Sequence, residues 1–487
     1  MNDPLRELIA NAQTTSRRSF MKTALTTGFS LAAASQFGCT QSAERRKAGA
    51  QPPPPLTETE GETEEKAEEV AAPQFPDVRL AFIGTGGMGG THIEELTKHG
   101  VKCPCYCDVD TERYKKAAEA FPDAKAYQDY REMLDKEHKN FDAVMIGVPD
   151  HHHFPATMIA MQLGKHVYTQ KPLTHTVWEA RQLAAAAKRY KVATQMGNQG
   201  HANEGWRLIY EWIHSGALGQ VKEVHSWTDR PVKYWAQGME RPEGEDEVPA
   251  NLNWDVWLGP APERPFKDKV YHPFVWRGWW DFGAGALGDM ACHTMDGMFW
   301  AMEPTYPTAV EPVAMTPMNG ESFPNAAMVK WEFPAHQGRP AWTGYWYDGG
   351  LLPTLPPELE LGRTIAPLGN LFIGTKATIL VQGAYGDSVR IVPESKMKAI
   401  GKPKPLLERS PGHYVEWLLA VSGQKPLDYP KSRFAYAAPM TESILLGNIA
   451  LRMGRRLEWD GANMRFKNVP DADQYVTKEY RAGWKIV

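Results

Sequence analysis

The 487 residues of this chain exceed what a single hydrophobic core can hold, so at least two domains are expected. With 42% hydrophobic and 23% charged residues, the composition is that of a globular protein. A formal net charge of −4 supplies no basic surplus, so no nucleic-acid partner is expected.

In chain order, Ser16-Arg17-Arg18-Ser19-Phe20-Met21-Lys22 precedes a mildly apolar run, Ala24 to Phe37, and reads as a twin-arginine export signal. The run is too short and too polar to span a bilayer. Export by the twin-arginine machinery to the periplasm is expected, or anchoring as a lipoprotein if Cys39 is lipidated. Gln36-Phe37-Gly38 is a poor lipoprotein box. Residues 1–39 are assigned to the signal region. Residues 40–76, with Pro52 to Pro55 and the Glu-rich stretch Glu58 to Glu69, have little to bury and read as a disordered, self-repelling spacer. The folded part divides into 77–200, a dinucleotide-binding domain, and 201–487, a substrate-binding α/β domain.

Val78 to Ile83 is a nearly continuous apolar run, as expected of a parallel strand covered on both faces. It enters Gly84-Thr85-Gly86-Gly87-Met88-Gly89 and then a helical pattern from His92 to His99. This is G-x-G-x-x-G between strand and helix. Gly84 allows the tight turn, Gly86 lets backbone approach a pyrophosphate, and Gly89 lets the helix pack closely. The helix N-terminus offers free N–H groups to the phosphates. A second strand, Val101 to Cys107, ends at Asp108, about 20 residues past the turn, where an acid accepts bonds from the adenosine ribose. Asp108 repels a 2′-phosphate, so NAD is expected over NADP. Cys103, Cys105 and Cys107 alternate along that strand and should share one face. Ligands spread by about 7 Å per step suit a tetrahedral metal site badly, so they read as small buried hydrophobes. Strands at Phe141 to Val148, His166 to Thr169 and Val192 to Met196 alternate with helices, giving a doubly wound parallel sheet.

Gln170-Lys171-Pro172 lies beyond a strand's carboxyl end, where open α/β sheets place ligands. Far along the chain, Gly283 to Gly288 is a glycine-rich turn leading into Asp289 and His293. If a helix starts there, the two are i and i+4 and share a face. The run His151 to His153 invites a metal reading, but consecutive side chains diverge, and no metal is expected.

These pieces, with Val148-Pro149-Asp150-His151-His152-His153, Gly164 to Pro172 and Gly288 to His293, resemble the glucose–fructose oxidoreductase/inositol dehydrogenase (Gfo/Idh/MocA) family from about Val78 onward. The resemblance implies a Rossmann domain followed by an α/β domain with a large open, mostly antiparallel sheet that often forms the oligomer interface, so a homo-oligomer is expected. It implies a last helix, Phe434 to Arg452, packed back near the cofactor domain. It places Lys171 at the reacting hydroxyl, Asp289 and His293 in the acid/base site with Asp289 orienting His293, Pro149 and His153 beside the nicotinamide, and Asn198 at cofactor or substrate. His272 and Trp279 are expected as substrate contacts. The family usually has Glu where this chain has Gln170, which removes one influence that would raise the Lys171 pKa.

The implied chemistry is hydride transfer from a sugar, polyol or glycoside carbinol to tightly bound NAD. Outside the cytoplasm free NAD is scarce, so a retained cofactor must be recycled, by a second sugar or within a redox-neutral glycoside cleavage. Glycosidases of this superfamily commonly lack the lysine matching Lys171, which favours the dehydrogenase-like reading. A non-catalytic sugar-binding protein is the third alternative.

Overall fold

The computed structural model describes residues 72–486, so the twin-arginine motif, Cys39 and most of the spacer lie outside the described residues. Phe75 is buried and its N–H donates to His99 O at 2.7 Å, so the last residues assigned to the spacer are already docked on the first sheet.

The first sheet is built from β1 (Arg79–Ile83), β2 (Lys102–Cys107), β3 (Lys125–Tyr127), β4 (Ala143–Ile146), β5 (His166–Gln170) and β6 (Thr194–Gly197). All pairings are parallel, in the order β3-β2-β1-β4-β5-β6, the doubly wound arrangement expected. The crossovers carry α1 (Met88–Thr97), α2 (Lys115–Ala120), α3 (Tyr130–Glu137), α4 (His153–Gln162) and α5 (Val177–Tyr190). A capping box starts α5: Thr176 accepts from the Glu179 N–H, and the Glu179 carboxylate accepts from the Thr176 N–H. One face of the sheet packs on α3, α4 and α5. The other packs on α1, α2 and a helix from far along the chain, which supplies Val415, Trp417 and Leu418.

The cysteines depart from expectation. Arg79 pairs with Lys102, yet Ala81 pairs with Cys105, so β2 carries an extra residue at Cys103-Pro104. The bulge reverses the side-chain alternation. Cys103 therefore joins Leu80 and Phe82 on one face, while Cys105 and Cys107 join Ala81 and Ile83 on the other.

After β6 come α6 (Glu204–His214), β7 (Val221–Trp227), α7 (Trp254–Leu258), α8 (Gly285–Thr294) and α9 (Asp296–Met302). Then follow β8 (Ala309–Met315), β9 (Ala327–Phe333), β10 (Trp342–Tyr347), β11 (Gly369–Gly374), β12 (Thr378–Gln382) and β13 (Ser388–Val392). The chain ends with α10 (Glu394–Ile400), α11 (His413–Val421), α12 (Phe434–Met453), β14 (Leu457–Asp460) and β15 (Arg465–Phe466). The second sheet has nine strands, ordered β13-β12-β11-β7-β10-β9-β8-β14-β15, and is antiparallel except where β7 meets β10. Strict alternation in β9 sends Ala327, Val329, Trp331 and Phe333 to the helix-covered face. The outer face carries Trp227, Tyr347, Leu371, Leu380 and Val392, on which Leu359 and Ile365 of the β10–β11 connection pack.

Helix α12 is apolar all round because it is surrounded: it touches α5 and β6 of the first layer and α8, β8 and β9 of the second. Its buried Glu442 is gripped bidentately by Arg181 of α5, at 2.7 Å to each oxygen, and by Trp459 Nε1 at 3.0 Å. Arg181→Met strands that carboxylate, and the denaturant midpoint should fall by the equivalent of about 3 kcal/mol. An unchanged midpoint would show that the clamp does not hold the two layers together.

Candidate active site

A cleft of about 460 Å³ opens at the carboxyl end of the first sheet. Gly84, at φ +86°, leaves no room for a side chain, since a Cβ would lie 2.3 Å from Gly147 O. A Cβ on Gly89 would lie 2.0 Å from Gly84 O, so the turn and the start of α1 close on each other backbone to backbone. Gly86, Gly87 and Met88 line the cleft with Asp108. Asp108 Oδ2 accepts the Thr85 and Gly86 N–H groups at 2.9 and 3.2 Å, and Oδ1 accepts Asp110 N–H at 3.1 Å. Burial pushes its pKa up, against those bonds. The residues fit a dinucleotide: a side-chain-free turn, a helix N-terminus and an acid at the next strand end.

The opposite wall comes from the long β7–α8 connection, including Trp257, His272, Phe274, Trp276 and Arg277. It is stitched to the first sheet. Asn253 N–H donates to Val109 O at 2.8 Å, and Thr111 N–H to Asn251 O at 3.0 Å. Asn251 Nδ2 and His272 Nε2 bond the two Asp110 oxygens at 2.6 and 2.9 Å. Burial alone would raise the Asp110 pKa; His272, Asn251 and the Glu112 N–H outweigh it and hold the pKa below the usual range. His272 thus lines the cleft with its Nε2 bound to a buried carboxylate. Trp279 is corrected: fully buried, its Nε1–H donates to Val270 O at 2.9 Å, so it is a core residue. Most of the large tryptophans are likewise core, among them Trp206, Trp212, Trp331 and Trp417.

At the inner end, Lys171 Nζ lies 2.6 Å from Asp289 Oδ1 and 2.9 Å from Asp289 O. Arg277 Nε reaches the same Oδ1 at 3.1 Å. Burial would raise the Asp289 pKa, but Lys171 and Arg277 hold it far below the carboxylate range. The expected orientation of His293 by Asp289 is not what the bonds show. Although both sit on α8, the carboxylate is turned to the two cations, and His293 Nδ1 has no hydrogen-bond partner. Burial, with Lys171 adding, pushes the His293 pKa down to about 3, so its ring is neutral. Two residues given no role from sequence join this cluster. Asp150 Oδ2 accepts the Ala284 N–H at 2.9 Å, and burial with the nearby Asp289 charge pushes its pKa up to about 7 against Lys171 and Arg277. Tyr385, from the β12–β13 hairpin, meets the His293 ring edge-on at 4.9 Å.

Of the other expected residues, Pro149 and Gln170 line the cleft. Gln170 Nε2 is turned to His92 at 2.7 Å, and His92 Nδ1 to Tyr414 at 2.8 Å, so its amide does not face Lys171, whose charge partner is Asp289. His153 Nδ1 lies 2.6 Å from Pro172 O and Nε2 2.9 Å from Val148 O, so the ring sits between those two loops and, being neutral, donates to one of them. His151 and His152 similarly hold Trp257 O at 3.0 and 2.9 Å. Asn198 is buried, accepts from Ser432 and lies outside the cleft lining. Nothing in sequence spacing links Asp150 or Tyr385 to Lys171; only the fold does.

A carboxyl whose folded pKa is about 7 binds its proton more tightly folded than unfolded. Its contribution is complete below the unfolded value and lost as pH rises toward 7. Between about pH 4 and 7 the protein should lose on the order of 4 kcal/mol through Asp150. Asp150→Asn should flatten that slope in pH-dependent denaturation; an equal slope in the variant would assign the proton elsewhere.

Residues 78–198 match the Gfo/Idh/MocA family described as an oxidoreductase family with an NAD-binding Rossmann fold, and residues 207–318 match its C-terminal α/β domain. A glycosyl hydrolase family 109 protein 1 of Shewanella sp. (strain ANA-3) is 30% identical over 31% of this chain and 34% of its own length. An inositol 2-dehydrogenase of Salmonella agona is 28% identical over 30% of this chain and 45% of its own. The chain thus spans between a third and half of the length of these curated relatives. Among solved structures, the WlbA dehydrogenase from Bordetella pertussis, in complex with NADH and UDP-GlcNAcA, shares the fold with a TM-score of 0.55 at 18% identity, covering 79% of this chain and 99% of that one. Just under half of the chain thus matches the Gfo/Idh/MocA oxidoreductase family, in the order of its NAD-binding Rossmann fold and its C-terminal α/β domain.

Proposed function

We propose that the protein is an oxidoreductase that oxidises a hydroxyl of a sugar, polyol or glycoside, with NAD held in the cleft. Residues 77–200 supply the cofactor site and 201–487 most of the substrate site. The observation that carries this reading is the locked Lys171–Asp289 pair, with Lys171 lining the cleft and a neutral His293, its Nδ1 unpartnered, one turn further along α8. When bound, NAD supplies the hydride acceptor. Lys171, held by Asp289, whose carboxylate Arg277 also bonds, presents positive charge to the substrate oxygen as its proton leaves. His293 has the free lone pair to take that proton. Pro149 and Gln170 form the wall beside the reacting ring, and His153 keeps their two loops in place.

A resident cofactor is supported by the stitched wall across the adenosine end. It also suits the export reading, which rests on Ser16 to Lys22 for the twin-arginine route and on Cys39 for a lipid anchor. A homo-oligomer formed through the second sheet, as the family resemblance implies, belongs to the same reading. The glycosyl hydrolase family 109 relative favours redox-neutral glycoside cleavage as a second reading. Lys171, Asp289 and His293 all being present disfavours a binding-only protein.

The purified chain should carry nicotinamide absorbance. With sugars and aryl glycosides but no added cofactor, growth of the reduced-nicotinamide band on an intact sugar supports the oxidoreductase. Aglycone release without net reduction supports the glycosidase instead. Lys171→Ala should lower kcat at least about 100-fold while the cofactor stays bound. Full activity in that variant would remove the lysine from the mechanism. His272→Ala frees the Asp110 stitch, and bound dinucleotide should be lost faster on dialysis; equal retention would show that the wall does not hold it.

A further inference from the structure

The β12–β13 hairpin is pressed onto the start of α6. A Cβ on Gly200 would lie 2.9 Å from Tyr385 Cβ, and one on Gly205 would lie 2.0 Å from Gly386 O, so both contacts need bare backbone. Asn203 Nδ2 donates to Tyr385 O at 3.0 Å. These constraints converge on one side chain: Tyr385, held with its ring at 74° to that of His293 and left 41% exposed. Other rings near the catalytic pair are already engaged. The Arg277 guanidinium covers Phe274 and Trp276 at 4.1 and 4.2 Å, and Arg230 covers Tyr234 at 3.3 Å. Among the described residues, no ring or cation is stacked on Tyr385; its one ring contact is the T-shaped one with His293.

An aromatic face is matched by a flat, apolar C–H surface with polar groups at its rim. A pyranose has that shape: axial hydrogens on its faces, hydroxyls around its edge. An open-chain polyol has no such face. We propose that Tyr385 is the platform on which the substrate ring stacks, presenting an edge hydroxyl to His293 and Lys171, and that it selects a closed pyranose over an open-chain polyol. This rests on the oxidoreductase reading above and narrows its substrate class.

The test uses full-length holoenzyme as wild type, Tyr385→Ala, Tyr385→Leu and Tyr385→Phe. The probes are methyl pyranosides of gluco, galacto and manno configuration and, for comparison, D-glucitol. Binding is read by calorimetry and reaction by nicotinamide reduction. Wild type should prefer a pyranoside to glucitol. Ala and Leu should each raise Kd and KM for that pyranoside about fivefold to tenfold, with kcat within about threefold and glucitol binding unmoved. Phe should keep wild-type values, because the ring face is retained. Leu still packs on Gly200, so it separates loss of the platform from loss of the hairpin's seat. The proposal is overturned if Ala and Leu bind the pyranoside like wild type, if Phe falls with them, or if wild type prefers glucitol or binds neither. Tyr385-dependent binding without reduction would keep the platform and sink the oxidoreductase reading. Oxidation of pyranosides that ignores Tyr385 would do the reverse.

Discussion

The structure turns on the contact between Lys171 and Asp289. One stands at the end of β5 in the parallel sheet, the other in the middle of α8 over the second sheet, and both side chains are nearly sealed from water, at 12% and 13% exposure. Two charges in that setting are costly unless every lone pair and proton is used. Here they are shared out: Lys171 also reaches the Asp289 carbonyl, and Arg277 takes up the same carboxylate oxygen. The pair therefore fixes the distance between the two halves where a substrate must sit. It also sets the electrostatics around it. Lys171 and Arg277 oppose the rise of Asp150 toward 7, Asp289 adds to it, and Lys171 and Asp289 bear in opposite senses on His293, so five ionisable groups share one balance.

How much of this could be read from sequence depends on the range of the interaction. The first strand, its glycine turn and α1 are local: an apolar run, glycines at fixed offsets and a helical period suffice. The long α12 was expected from the family resemblance, not from a local pattern. What failed was non-local. Cys103 lies on the other face because a bulge at Pro104 shifts the alternation, and no pattern rule places a bulge. Trp279 was claimed by the core, and the bond of His272 to Asp110, far away in sequence, had no local signal. Asp289 and His293 do share a helix, yet which neighbour a carboxylate turns to is set by the two separate loops that bring Lys171 and Arg277, not by the i,i+4 spacing. Tyr385 carried no signal at all, since its position depends on two close backbone contacts with a helix start.

The three consecutive histidines show the same lesson in reverse. Their side chains diverge, as their spacing demands, and each finds main-chain carbonyls: His151 and His152 on Trp257, His153 on Val148 and Pro172. Burial lowers the pKa of each, so they stay neutral. The His153 ring then donates to one of its two carbonyls and packs against the other within the first half, while His151 and His152 brace the two halves through Trp257 O. A run that looks like a ligand set is a set of braces.

The wall sewn across the adenosine end has a consequence for how such a molecule is made. Residues 251–253 follow the first sheet in the chain, so the glycine turn and Asp108 are finished before the segment that covers them is synthesised. What a dinucleotide meets therefore differs between the emerging chain, which offers a bare bed, and the folded one, in which residues 251–253 are hydrogen-bonded to the loop beside Asp108.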